Sequence, residues 1–125
     1  AMLMKKILYA LALIAIISSV LLGVHYTKNV KLRDEVTMSL SKVHDLEMAY
    51  KEMFGHYTDN IYAIAYIQDT LVTEGGNANY LVTLERATDS TFKATAISVI
   101  DFDGDGQFSQ WQVDETGNII EIVED

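Results

Sequence analysis

The chain has 125 residues, half of them hydrophobic, with neither cysteine nor proline and a formal net charge of −9. That length holds one small domain with a thin core, and the missing cysteines exclude a disulfide framework and a thiolate metal site. The charge is uneven: residues 55–125 carry only Arg86 and Lys93 against thirteen acidic side chains. Such a surface argues against nucleic acid as a partner, because neutralising phosphates needs clustered Lys and Arg.

Residues 1–24 open with Lys5 and Lys6, then run from Ile7 to Val24 without a charge. At ~1.5 Å per residue this segment reaches across a hydrocarbon core as a helix. About a dozen large aliphatics, each worth ~1.5–3 kcal/mol on burial, make exposure to water cost on the order of 20 kcal/mol. Lysines before an apolar run also describe a secretory signal peptide, but no Ala-x-Ala-like cleavage site follows. The expectation is a retained segment: a single-pass anchor or, preferred, a helix buried among copies of itself. The leading lysines place its N-terminus on the cytoplasmic side.

Residues 25–54 change to an amphipathic pattern, with Leu32, Val36, Leu40, Val43, Leu46, Tyr50 and Met53 at three- and four-residue steps. Lys31, Arg33, Asp34, Lys42, Asp45, Glu47 and Lys51 stand between them, which is the one-sided stripe of a helix. With no proline, one helix is expected to continue to Phe54 and stop at Gly55. Residues 56–78 read as an irregular connection with a short helical turn in 61–71 and a flexible tip at Gly75-Gly76-Asn77.

Strand-like runs follow at 79–87, 91–100, 108–113 and 118–123, separated by short turns that make the sheet antiparallel. The fold class is therefore α+β: a long N-terminal helix, apolar in its first half, packs its second half against a small antiparallel sheet of three to four strands. Residues 55–125 form the globular head.

In the head, Asp101, Asp103 and Asp105 with Gly106 repeat the opening of a calcium loop, where alternate carboxylates converge on one cation and glycine permits the turn. Gln107 and Asp114 complete the candidate ligand set, and Glu115 lies within reach. The twelfth position is Gln112 rather than a bidentate Glu, so the loop is no EF-hand, and an acidic hairpin turn in water is the competing reading. His25, His44 and His56 do not cluster. No P-loop, dinucleotide fingerprint or spaced Ser/His/Asp set is present, so the chain reads as a non-enzyme. Tyr9, Tyr26, Tyr50, Phe54, Tyr57, Tyr62 and Tyr66 read as packing residues.

Several stretches in order resemble the type IV pilin and pseudopilin family. They are the apolar N-terminal helix from Ala1, the acidic-apolar pair Glu35-Val36, and the helix-end segment Ala49-Tyr50 leading through Gly55-His56-Tyr57-Thr58. The last is Asp101-Phe102-Asp103-Gly104-Asp105-Gly106.

The resemblance implies a pilin-like fold and a homo-oligomeric helical surface filament serving motility, adhesion or related roles. Unassembled subunits would be held in the inner membrane until assembly machinery extracts them. It further implies processing and N-methylation at Ala1 and a filament core built from Ala1, Lys5, Ile7, Leu11, Ile14, Ile17 and Leu21. The chain departs from the family at Lys5, where a glutamate is usual, and at Leu22, often a proline. Alternatives are a pseudopilin of a type II secretion system and a membrane-anchored extracytoplasmic binding module.

Overall fold

The computed structural model describes residues 2–124, with side chains described for 3–10 and 29–124. Helix α1 is Met2–Phe54. The chain divides into two compact units, residues 1–33 and 34–125. In the first unit the described side chains, Lys5 and Ile7 among them, are exposed, apart from the half-buried Leu32. Ala1 and the side chains of Leu11, Ile14, Ile17 and Leu21 lie outside the described residues. Among the described residues no helix is long and apolar enough to cross a membrane. Most side chains of the apolar run on which that expectation rests lie outside the described ones.

The second unit is the α+β head. Four strands, β1 (Tyr80–Ala87), β2 (Phe92–Ser98), β3 (Gln110–Asp114) and β4 (Ile119–Val123), form one antiparallel sheet in the order β1-β2-β3-β4. This is a meander in which each strand pairs with its neighbour in sequence, as the short predicted turns require. Alternation along the strands sorts the two faces. Val82 pairs with Ala96 and Ala96 with Trp111, while Ala94 pairs with Val113. Tyr80, Val82, Phe92, Ala94, Ala96 and Val113 on this face are all buried. The other face sets Leu81 opposite Ile97 and Thr83 opposite Thr95.

From α1, Val36, Leu40 and Val43 are fully buried. Ala94 and Ala96, also fully buried, offer little bulk above the sheet. A fourth residue continues the helical stripe at the next four-residue step: Glu47, a carboxylate, with no exposed surface. The expected apolar stripe runs on to Met53, but that side chain is 76% exposed. At roughly 100° of turn per residue, Met53 lies a quarter-turn or more off the line through Val36, Leu40, Val43 and Glu47.

The connection 56–78 is irregular as expected, but its one helical element, a 3-10 turn, is Val72–Glu74 instead of falling within 61–71. Gly75, in the left-handed region at φ 88°, closes it by donating to the Val72 carbonyl. Residues before it do structural work at the sheet margin. Gln68 donates Nε2 to the Tyr80 carbonyl and accepts the Val82 N–H, both at 3.0 Å. Its side-chain amide thus substitutes for a neighbouring strand along part of the outer edge of β1, which blunts that edge against foreign pairing.

Candidate functional site

Three places in the head gather polar side chains. The first is the acidic loop between β2 and β3. Its base is closed by the Ser98 N–H donating to the Ser109 carbonyl at 2.8 Å. The buried Ser109 hydroxyl then accepts from Tyr80 Oη at 3.1 Å and Trp111 Nε1 at 3.2 Å.

Within the loop, Asp101 accepts the Gly104 N–H at 3.0 Å and the Gly106 N–H at 2.6 Å. Asp103 accepts from Asp105 N at 3.1 Å, and Asp105 from Gln107 N at 2.8 Å. Gly104 and Gly106 take φ of 76° and 84°, a conformation that favours glycine and lets the backbone N–H groups turn toward these carboxylates. As a result Asp101, Asp103 and Asp105 each present an oxygen within 4.8 Å of the others. Hard oxygen donors at this spacing suit a calcium ion whose remaining positions water would fill.

The other expected ligands are placed differently. Asp114 ends β3, at the far end of that strand from the loop, and accepts from the Thr116 N–H at 2.9 Å and from its hydroxyl. It caps the β3–β4 turn. Glu115 accepts the Phe92 N–H at 3.4 Å, at the start of β2. Gln107 is exposed and meets the cluster through its backbone N–H. The three aspartates come together as the alternate spacing predicts, whereas a five-residue strand separates them from Asp114 by roughly 15 Å of extended chain.

The second place is a half-open cavity of about 500 Å³ between the Glu35–Ser39 turn of α1 and the segments 66–70 and 76–80. Glu35 and Asp69 make its lining acidic, with Tyr66 and Tyr80 beside them. Burial holds the Tyr66 hydroxyl above its ordinary range, against a hydrogen bond with Ser39 that pulls the other way. The wall at Gly76 is tight, because a Cβ there would lie 2.0 Å from the Thr70 carbonyl oxygen.

The third place is the end of α1. Glu47 accepts the Thr58 N–H through Oε1 at 3.1 Å, and its Oε2 is buried with no hydrogen-bond partner. Burial raises this carboxyl above its ordinary value; the Thr58 bond lowers it, and Asp59 raises it further. An unpaired buried carboxylate costs several kcal/mol, more than the ~1.5–3 kcal/mol a hydrogen bond to a charged group returns, so burial outweighs the Thr58 bond in setting the direction of the shift. In the sequence Glu47 stands among the charges between the apolar positions of the stripe. The usable signal was its four-residue step beyond Val43.

No family model matches the chain, and no curated protein matches it.

Proposed function

We propose that the chain is the structural subunit of a type IV pilus or a pilin-like helical surface filament, held in the inner membrane as a single-pass protein before assembly. The observation that supports this reading best is the order of parts. An uncharged run behind two lysines leads into a helix whose residues 34–54 supply Val36, Leu40 and Val43 to the core of a small α+β head. A subunit of this design hides its apolar run in lipid before assembly and among neighbouring helices afterwards, so transfer between the two is nearly neutral in hydrophobic terms. The same contact repeated by one screw rotation generates an open fibre.

In this reading Lys5 replaces the familiar glutamate, and a lysine beside a neighbour's N-terminal amine repels it. The filament therefore uses another partner for that position. Calcium enters as a weak ligand of the Asp101, Asp103 and Asp105 loop, at the ~10⁻⁴–10⁻³ M affinities typical of extracellular sites.

Electron microscopy of sheared cell-surface material tests the proposal. Fibres labelled by an antibody to this chain are expected, and Ile14→Lys or Leu21→Lys should abolish them because an unpaired ion would be buried in the core. A chain recovered only from detergent-solubilised membranes, with no fibres, would replace the filament by an anchored module.

A further inference from the structure

We propose that Glu47 is a proton-controlled latch: its neutral carboxyl fastens the turn beginning at Thr58 to the end of α1, and ionisation releases that turn. The inference concerns the head alone and stands whether or not the chain forms filaments.

Three features of the geometry lead to it. Glu47 has no exposed surface, its Oε1 accepts the N–H of Thr58 in the segment after Gly55, and its buried Oε2 has no hydrogen-bond partner. An ionised Glu47 can recover its missing hydration only if the segment over it moves away.

The charged neighbours offer no relief. Asp59 follows Thr58 and repels a carboxylate, and Glu115 and Glu47 both act on the Tyr57 hydroxyl with the same sign. Lys51, one turn along α1, is engaged elsewhere: its Nζ donates to the Gly55 and Asp89 carbonyls and lies 5.4 Å from the Tyr57 ring centroid. His44, one turn back, donates Nε2–H to the Glu115 carbonyl and lies 3.6 Å from Asp45, while His56 donates Nδ1–H to the Tyr57 carbonyl.

The moving part has definable limits. Tyr57 is fixed by its N–H to the Thr88 carbonyl at 3.2 Å and by its ring, 5.0 Å from that of Phe92. Release therefore starts after Tyr57. Beyond it, Asn60 donates to the Thr58 hydroxyl and Tyr62 to the Asn60 side chain, so the turn is held by short-range bonds that survive as it lifts. Its anchor at the far side is Ile64, 5% exposed, while Tyr62 is 87% exposed. Opening would hydrate Glu47 and shift the surface around Tyr62.

Because the closed state holds its proton more tightly than the open one, closure is complete in acid and weakens as pH rises. Between the ordinary carboxyl value and the raised one, the opening equilibrium grows with pH, by at most about tenfold per unit, then levels off.

Hydrogen exchange of the Thr58 amide in the full-length chain in detergent, corrected for the intrinsic pH dependence of exchange, reads this directly. The wild type should lose protection at Thr58 with that slope and plateau, while Tyr57, bonded to Thr88, keeps its own. Glu47→Gln, which retains the acceptor and cannot ionise, should hold Thr58 protected at every pH; this comparison also removes any contribution from His44 and His56. Asp59→Asn lowers the raised value, so its loss of protection should level off at a lower pH and be smaller than in the wild type. Protection at Thr58 that is independent of pH in the wild type, or an unchanged pH dependence in Glu47→Gln, would overturn the proposal.

Discussion

Asn79 grips Glu35 with two groups at once: its backbone N–H is shared between the carboxylate oxygens at 3.2 and 3.0 Å, and its side-chain Nδ2 donates to Oε1 at 3.0 Å. The two residues are 44 apart in sequence, so the contact ties α1 to the entrance of β1 across the whole connecting segment. Glu35→Ala leaves a half-buried N–H without its acceptor, and the expected loss is about 1–3 kcal/mol. Glu35→Gln keeps one oxygen for that N–H and should lose less than half as much. Denaturant titration of the two variants measures the difference, and equal losses would mean that the charge, not the acceptor, matters.

Gly76 and its neighbour Gly75 separate two reasons for glycine. At Gly76 an added Cβ meets the Thr70 carbonyl oxygen at 2.0 Å and its carbon at 2.5 Å, both backbone atoms that cannot swing aside. At Gly75 there is open space, but φ is 88°. Gly76→Ala should destabilise the head by ~3 kcal/mol through overpacking. Gly75→Ala should cost only ~1–2 kcal/mol, the penalty of a side chain in the left-handed region. Thermal melting of both variants gives the order, and a milder Gly76→Ala would mean that the strap from Thr70 to Ala78 yields.

Much of the head was legible because its signals are local. The end of α1 at Phe54, the four strand runs and their antiparallel pairing follow from alternation, turn residues and a glycine stop, and the structure has all of them. What was not legible depends on partners distant in sequence. Glu47 reads as a solvated charge until Thr58 and the buried stripe Val36-Leu40-Val43 are seen with it. Gln68 reads as loop filler until its amide is found spanning Tyr80 and Val82. The acidic loop was half legible: alternate spacing brings Asp101, Asp103 and Asp105 together, but Asp114 is carried off by the length of β3.

Asp101 ties the acidic loop across its longest span, since its two oxygens accept the backbone N–H groups of Gly104 and Gly106. Asp101→Ala should loosen residues 101–106 with or without a cation, seen as faster amide exchange at Gly104 and Gly106. Asp103→Asn and Asp105→Asn keep an oxygen for the N–H groups of Asp105 and Gln107 and should leave the loop closed. Millimolar calcium should raise the wild-type melting temperature and leave these two variants unmoved. A wild-type midpoint identical in calcium and in EDTA would retire the cation and leave a self-bonded turn.

Glu85 provides a titration of opposite sign to that of Glu47. The Thr95 hydroxyl donates to it at 2.9 Å and Lys93 lies 3.3 Å away, and these interactions hold its carboxyl below the ordinary value, the Thr95 bond being the largest cause. A depressed folded value means that the contribution to stability is present at pH above the ordinary carboxyl value and is lost as pH falls through the lowered one. The side chain is 40% exposed and its lysine 29%, so solvent screens the pair and its worth is at most ~1 kcal/mol. Glu85→Gln should therefore be less stable than the wild type by that amount at neutral pH, with the two curves converging in acid. Raising the salt should narrow the neutral gap, because part of it is an exposed ion pair. The Thr95 hydrogen bond should persist, so a residual gap at high salt is expected. Paired denaturation curves across the acid range measure both effects, and a gap that widens toward low pH would reverse the assigned sign.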